Sequence, residues 1–398
     1  MSLPAEQPTA AASSERGARL RRIVEGVIGV PATEGNRIED LRNGDEIFPA
    51  MLEAIERAEC TIDFLTFVYW EGTIGREFAR RLADRARAGV RVRVLLDAWG
   101  AKPIEKALVS EMERAGVRVR WFRPLRRFRP SEVNHRTHRK VVIVDEAVGF
   151  VGGVGIADEW LGNARNENEW RDTHFRVRGP AVDGLRAAFL DNWAETDPEL
   201  FDVAIDRFPE QPKPGTAVAQ SVRGASETGH SDVFTLFRTL CQVAERRLRI
   251  TTAYFVPDEE IVNRLGGAAE RGVEVQVLVP GPHIDKRFVQ LAGEGSYDVL
   301  LERGVGIWAF QPSMLHAKIM TVDGVLANIG SANLNARSTG LDEEINLVAI
   351  DQELATRLDD HFDDDLNRSV RLEAGRWHDR SAIQRAGEAL IAPIKRLF

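Results

Sequence analysis

The stretch from Asn134 to Trp160 reads N-H-R-T-H-R-K-V-V-I-V-D-E-A-V-G-F-V-G-G-V-G-I-A-D-E-W, and its reading decides the fold. Within it His138, Lys140 and Asp145 spell H-x-K-x4-D, and Gly152 and Gly153 begin seven positions after the aspartate. The frame returns as His316, Lys318 and Asp323, with Gly330 and Ser331 again seven positions on. Two copies of one polar triplet on an otherwise apolar strand are hard to explain as core packing. Arginine outnumbers lysine several-fold in this chain, yet lysine fills both H-x-K positions.

Strand geometry gives the pattern a meaning. Residues i and i+2 of a strand share a face, so His138 should project with Lys140, and His316 with Lys318. Val141 to Val144 and Ile319 to Val322 should carry each strand into the core. Each copy then offers one imidazole beside one ammonium, which is half of a phosphate site.

Outward from the motifs, the chain alternates strand and helix. Helices are expected over Phe48–Ala58, Gly75–Ala88 and 102–114, and strands over Cys60–Phe67, Val90–Asp97 and Val117–Phe122. That alternation predicts an α/β fold with helices on both faces of a sheet. The order then repeats: A-G-V-R-V-R-V-L-L at Ala88–Leu96 matches R-G-V-E-V-Q-V-L-V at Arg271–Val279. Two duplicated α-β-α halves related by a pseudo-twofold are therefore expected, rather than a short solenoid repeat. The expected organisation is a disordered tail over 1–15, an amphipathic helix over 16–35, a first half over 36–198, a linker over 199–214 rich in proline, and a second half over 215–398. Leu20, Ile23, Val24, Val27 and Ile28 form one stripe of the first helix, which should pack against the body. A closing helix is expected over Ser381–Ala392.

Composition narrows the function classes. The 398 residues, 43% hydrophobic and 29% charged, describe an ordinary globular protein. A net charge of −8 argues against general nucleic-acid binding. Cys60 and Cys241 have no paired spacing, so no disulfide or cysteine metal site is expected. His, Asp and Glu are not spaced as metal ligands at either motif, and no cofactor is called for. No apolar run reaches membrane-spanning length and no signal-peptide core is present.

The doubled H-x-K-x4-D with its trailing G-[GS] resembles the phospholipase D superfamily, and the resemblance spans roughly residues 36 to 370. Trp170-Arg171-Asp172-Thr173-His174, Leu315-His316-Ala317-Lys318 and Gly330-Ser331-Ala332-Asn333-Leu334 look like its cardiolipin synthase branch. The resemblance implies a phosphatidyltransferase joining two phosphatidylglycerols through a phosphohistidine, with release of glycerol. A hydrolytic phospholipase D is the alternative; a nuclease or an inactive lipid-binding scaffold ranks lower. It also implies roles. His138 would be the nucleophile, His316 the acid and base, and Lys140 and Lys318 the charge stabilisers. Asp172 and Glu344 would orient the imidazoles, and Asp145 and Asp323 would complete the catalytic set by bracing the motif loops. Gly152, Gly153, Ser331 and Asn333 would cradle the phosphate.

Two features depart from or add to that pattern. The asparagine expected three residues after the first glycine is present as Asn333, but the first half has Gly155, so Asn163, Asn166 or a water would have to replace it. The first half also carries ten extra residues before its motif, with Arg123, Arg126, Arg127 and Arg129 around Leu125 and Phe128. These arginines are expected to meet an anionic headgroup or membrane surface. The protein is thus expected in the cytoplasm, peripherally bound to membranes, acting as a monomer on a phospholipid without nucleic acid.

Overall fold

A computed structural model describes residues 10–124, 134–224 and 231–374. The first half contains β1 (Thr33–Arg42), β2 (Thr61–Thr66), β3 (Arg91–Asp97), β4 (Arg118–Phe122), β5 (Val141–Val144), β6 (Val148–Gly152) and β7 (Thr173–Arg178). The second contains β8 (Ala217–Arg223), β9 (Arg247–Thr251), β10 (Glu274–Pro280), β11 (Gly306–Phe310), β12 (Ile319–Val322), β13 (Leu326–Gly330), β14 (Ile345–Ile350) and β15 (Ser369–Arg371). In each half three parallel strands, β2-β3-β4 or β9-β10-β11, are followed by an antiparallel run. The whole is one 15-stranded ladder in the order β15-β11-β10-β9-β12-β13-β14-β8-β1-β7-β6-β5-β2-β3-β4. Its two sheets meet at β1, which pairs with β8 near Thr33–Asn36 and with β7 from Arg37 onward.

Three cores follow from this arrangement. In the first, α2 (Asn43–Glu56), α3 (Thr73–Arg87) and α4 (Lys106–Arg114) cover β2–β4 through Phe48, Phe64, Phe78, Leu82 and Met112. In the second, Leu236, Leu240, Leu265 and Leu300 cover the other sheet. The third lies between the halves. There Val182, Leu185, Phe189 and Trp193 of the helix Ala181–Ala194 meet Val141, Ile143, Val151, Ile329 and Leu347, with Leu354 and Leu358 of the helix Gln352–Leu366. This shared apolar layer makes the halves one unit, because neither inner face could stay exposed to water.

Several boundaries differ from expectation. The first helix, α1, runs Ala10–Ile28, so residues 10–15 are not a tail, and Thr33 already opens β1. Residues 1–9 lie outside the described residues, as does the expected helix Ser381–Ala392. Leu20, Val24 and Ile28 of α1 are buried in the second core, so that part of the expected stripe packs on the body, while Val27 is exposed. The His–Lys segments precede their strands: β5 starts at Val141 and β12 at Ile319. Backbone bonds from the opposite half, described below, hold them instead. Among the described residues no helix is long and apolar enough to cross a membrane.

Candidate active site

Leu65 of β2 lies opposite Val141, and Thr251 of β9 opposite Ile319. The H-x-K segments therefore start where the parallel strands end, and the loops at those carboxyl ends surround them. Each segment is clamped by the other half. His138 donates its backbone N–H to the Glu343 carbonyl (2.8 Å) and Glu343 donates to that of Arg136 (2.8 Å). In the mirror arrangement His316 donates to the Arg171 carbonyl (2.7 Å) and Arg171 to that of Met314 (2.8 Å). These are short parallel bridges across the seam.

The side chains repeat the exchange. Nδ1 of His138, in the first half, lies 3.1 Å from Oε1 of Glu344, in the second. Nδ1 of His316, in the second half, lies 2.8 Å from Oδ2 of Asp172, in the first. Each imidazole thus turns Nδ1 to a carboxylate and leaves Nε2 for other work. Both carboxylates are fully buried. Trp160 donates its indole N–H to Asp172 (3.0 Å), and the Ser331 hydroxyl donates to Glu344. The two ammonium groups fold back on their motifs: Lys140 donates to the His138 carbonyl (2.7 Å), and Lys318 lies 2.9 Å from Nδ1 and 3.2 Å from Nε2 of His316 while also donating to the His316 carbonyl.

Burial dominates the electrostatics. It pushes His138 down to about 4 against the pull of Glu344, and His316 down to about 3, with Lys318 adding to the fall and Asp172 opposing it. Burial likewise lowers Lys140 to about 7 and Lys318 to about 8, each partly rescued by Glu344 and Asp172. For Asp172 burial acts upward, but the hydrogen bond with His316 and the field of Lys318 hold it at about 2. Glu344 is held at about 2 against burial by His138, Lys140 and Ser331. At neutral pH the resting site thus holds two neutral imidazoles, two carboxylates, a mostly charged Lys318 and a Lys140 at the midpoint of its titration. An entering anion would favour the charged form of both lysines.

Positive φ angles mark where the motif aspartates sit. Asp145 and Glu146 (φ 50° and 58°) turn β5 into β6, and Asp323 and Gly324 (56° and 68°) turn β12 into β13. Both hairpins connect their strands through three residues, with turn bonds from Ala147 to Val144 and from Val325 to Val322. Asp145 accepts backbone N–H bonds from Glu59, Cys60 and Thr61, and Asp323 from Glu245, Arg246 and Arg247, with Arg16 of α1 added. Each aspartate follows its lysine by five steps along a four-residue strand, about 16 Å. Both aspartates lie outside the imidazole cluster and hold the hairpin ends, so their part in the set is as braces and not as groups that touch the reacting atoms.

The expected phosphate cradle is also redistributed. A Cβ on Gly153 would lie 2.7 Å from the Asp172 carboxylate, and one on Gly152 would lie 2.5 Å from Nδ1 of His174. These glycines make room for side chains around the site. The Ser331 hydroxyl is engaged by Glu344, and the Asn333 carboxamide oxygen accepts from the Tyr254 N–H (3.3 Å). In the first half a Cβ on Gly155 would meet Val68 at 2.5 Å, so the space for an asparagine is already filled. Asn163 and Asn166 do not replace it: their side chains are bonded to Asn43 and to Glu169. Arg123 is no free surface cation, since it donates to both Glu195 oxygens and to Glu343. Arg126, Arg127 and Arg129 lie outside the described residues.

Sequence reasoning missed several supports. Arg139, between the two motif residues and fully buried, donates to the carbonyls of Ala188 (2.7 Å), Gly224 (3.1 Å) and Glu344 (3.2 Å). Arg136 pairs with Asp97 (3.0 Å), which also accepts from the Thr137 N–H, straightening the approach to His138. Phe67 lies against His138, and Trp160, Trp170 and Tyr254 against His316. Of these, only the arginines embedded in H-R-T-H-R-K carried a signal: charged residues flanking a buried strand need buried partners. Among the described residues, no group of three or more His, Cys, Asp or Glu is placed to hold a metal ion.

Comparison with known proteins agrees with this geometry. The family "Cardiolipin synthase, PLD-like domain" matches residues 51–173 and 237–366, one match in each half. Cardiolipin synthase 1 of Bacillus anthracis is 33% identical over 392 residues, covering 96% of this chain and 77% of the relative. The probable cardiolipin synthase YwiE of Bacillus subtilis (strain 168) is 33% identical over 355 residues, 89% of this chain and 71% of that protein. Among solved structures, phosphatidylserine synthase of Haemophilus influenzae Rd KW20 superposes with a TM-score of 0.75 at 16% identity, over 96% of this chain and all of that one, which speaks for the shared fold. With a matching domain in each half, and relatives a third identical over nearly its whole length, the chain belongs to the cardiolipin synthase family of phospholipase D-like proteins.

Proposed function

We propose that the protein is a phosphatidyltransferase of the cardiolipin synthase type, which joins two phosphatidylglycerols and releases glycerol. The observation that carries this reading is the crossed pairing of His138 with Glu344 and of His316 with Asp172, beside two lysines. Nε2 of His138 attacks phosphorus and displaces the headgroup oxygen, which takes a proton from His316. The phosphatidyl group then rests on His138. An incoming hydroxyl gives its proton back to His316 and attacks phosphorus, releasing the histidine. Lys140 and Lys318 face the non-bridging oxygens, where charge builds.

The resting protonation suits the first role directly, because a neutral imidazole is a nucleophile. The acid role needs a proton that burial discourages. The phosphodiester brings a negative charge into the cluster, offsetting the two ammonium groups and favouring His316 in its charged form. Hydrolysis would use the same intermediate with water as acceptor. Membrane contact would be peripheral and would fall to Arg126, Arg127 and Arg129, about 1 kcal/mol each near an anionic surface.

The test is incubation of the pure protein with phosphatidylglycerol vesicles and identification of products by mass spectrometry. Cardiolipin with glycerol is expected; phosphatidic acid alone would replace transfer by hydrolysis. His138→Ala should form no phosphatidyl-enzyme. His316→Ala should accumulate one with a p-nitrophenyl phosphodiester, whose leaving group needs no proton. An adduct mapped to His316 would reverse the two roles.

A further inference from the structure

The two acid–base pairs are near copies, but the walls beside them are not. The Thr66 and Thr252 hydroxyls bond the carbonyls of Val68 and Tyr254, which makes these two residues counterparts in the two halves. Val68, the counterpart of Tyr254, has no polar side-chain group, and Phe67 before it sets its ring centroid 5.1 Å from that of the His138 imidazole. Beside His316 stands Tyr254, edge-on at 6.4 Å. Its hydroxyl lies 2.9 Å from each carboxylate oxygen of Asp285, and the Lys286 ammonium sits 5.2 Å from its ring centre. Tyr254 is buried, whereas Asp285 and Lys286 are exposed, so the polar end of the cluster faces outward. His283 on the same loop lies 3.3 Å from Glu167, which ties this wall to the first half.

We propose that Tyr254, Asp285 and Lys286 form the alcohol subsite, where the polyol headgroup leaves and the acceptor hydroxyl enters; this rests on the phosphatidyl-transfer reading above. In an in-line displacement the leaving oxygen stands opposite the attacking nitrogen. With His138 attacking, the alcohol lies on the His316 side. A polyol carries several hydroxyls, each of which needs a partner once taken from water. At the counterpart positions the His138 side has Phe67 and Val68, which supply none, and Asp342, whose field reaches Lys140, is already held by Arg337. The His316 side offers a carboxylate that accepts, an ammonium that donates and a phenol that does either. Lys318 feels both Asp285 and Lys286, which puts this cluster in electrostatic reach of the reacting centre. A monohydric alcohol would gain little from such a wall, so the subsite selects for polyols.

The experiment is a competition. Wild-type protein and the Asp285→Asn, Tyr254→Phe and Lys286→Ala variants receive phosphatidylglycerol vesicles with deuterated glycerol and ethanol together. Labelled phosphatidylglycerol and phosphatidylethanol are counted by mass spectrometry. The glycerol-to-ethanol ratio should fall about tenfold in Asp285→Asn, the loss of one charge-assisted hydrogen bond, and by less in the other two. Asp285 and Lys286 are exposed, so their variants should fold. A ratio within twofold of wild type in all three would overturn the subsite while leaving transfer intact. A wild type that makes neither product, yet releases phosphatidic acid, would overturn transfer and the subsite with it.

Discussion

Asp172→Asn changes one atom and leaves the buried volume intact, which makes it a clean probe of the crossed pairs. Asp172 accepts from His316 (2.8 Å) and Trp160 (3.0 Å) through Oδ2 and from the Thr173 N–H (2.8 Å) through Oδ1. Every contact is a donor facing an acceptor, so the carboxamide must point its NH2 at one of them. Losing a charge-assisted bond costs about 1.5–3 kcal/mol, which alone is about tenfold to 150-fold in rate. The wrong imidazole tautomer adds to this; in a serine protease triad the same change lowers kcat by about 10⁴. A loss of about 10²- to 10⁴-fold in kcat is expected with an alkyl leaving group. With a p-nitrophenyl phosphodiester the loss in adduct formation should be far smaller, because p-nitrophenolate needs no proton from His316. Glu344→Gln should slow adduct formation with both substrates, because it acts on the nucleophile. The assay is single-turnover adduct formation by intact-protein mass spectrometry, alongside steady-state product release. Equal losses for the two variants on both substrates would refute the division of labour, as would Asp172→Asn activity within threefold of wild type.

Other expectations follow from the same geometry. In the pH dependence of kcat/KM, activity should fall on the alkaline side as Lys140 and Lys318, at about 7 and 8, lose the charge that holds the phosphodiester; a flat profile to pH 10 would contradict this. Stability should fall with acid: His138, His174 and His316 all have folded values lowered below 6.5, to about 4, 4 and 3, so the unfolded chain binds more protons. The melting temperature should therefore drop as pH is lowered from about 6.5 toward 4. Gly153→Ala places a methyl 2.7 Å from the Asp172 carboxylate and should cost at least about tenfold in kcat while the far-ultraviolet circular dichroism stays native. Residues 36–198 and 215–398 expressed separately should each be inactive, and turnover by a monomeric half would sink the crossed-pair reading.

The fold was largely legible because its period was. Alternating strands and helices, and glycines repeated at offsets near 183, follow from short-range packing rules that a sequence carries openly. The imidazoles and lysines were legible because chemistry that rare does not recur by packing. Geometry that depends on the seam was not. Glu344 and Asp172 could be listed as orienting groups, but not that each would serve the histidine of the other half. Ser331 and Gly153 looked like a phosphate cradle because small residues near a motif suggest one. They instead make contact or clearance for the carboxylates at the start of the next strand in the same half. Arg123 looked like surface charge, yet Glu195 and Glu343, 72 and 220 residues away, claim it. Tyr254 and Asp285 carried no local pattern at all.

The placement of both proton-handling pairs on the seam constrains how substrate can be admitted. Many two-lobed enzymes load by swinging the lobes apart and closing on the ligand. Here the same displacement would pull Glu344 from His138 and Asp172 from His316 at once, and would expose the apolar layer around Leu185, Phe189 and Leu358. Every opening would dismantle and rebuild the entire acid–base apparatus. On this geometry the lobes would stay together as a frame while substrate enters at its rim. For an enzyme whose substrate lies in a bilayer, that amounts to a rigid socket lowered onto the lipid rather than a jaw that bites it.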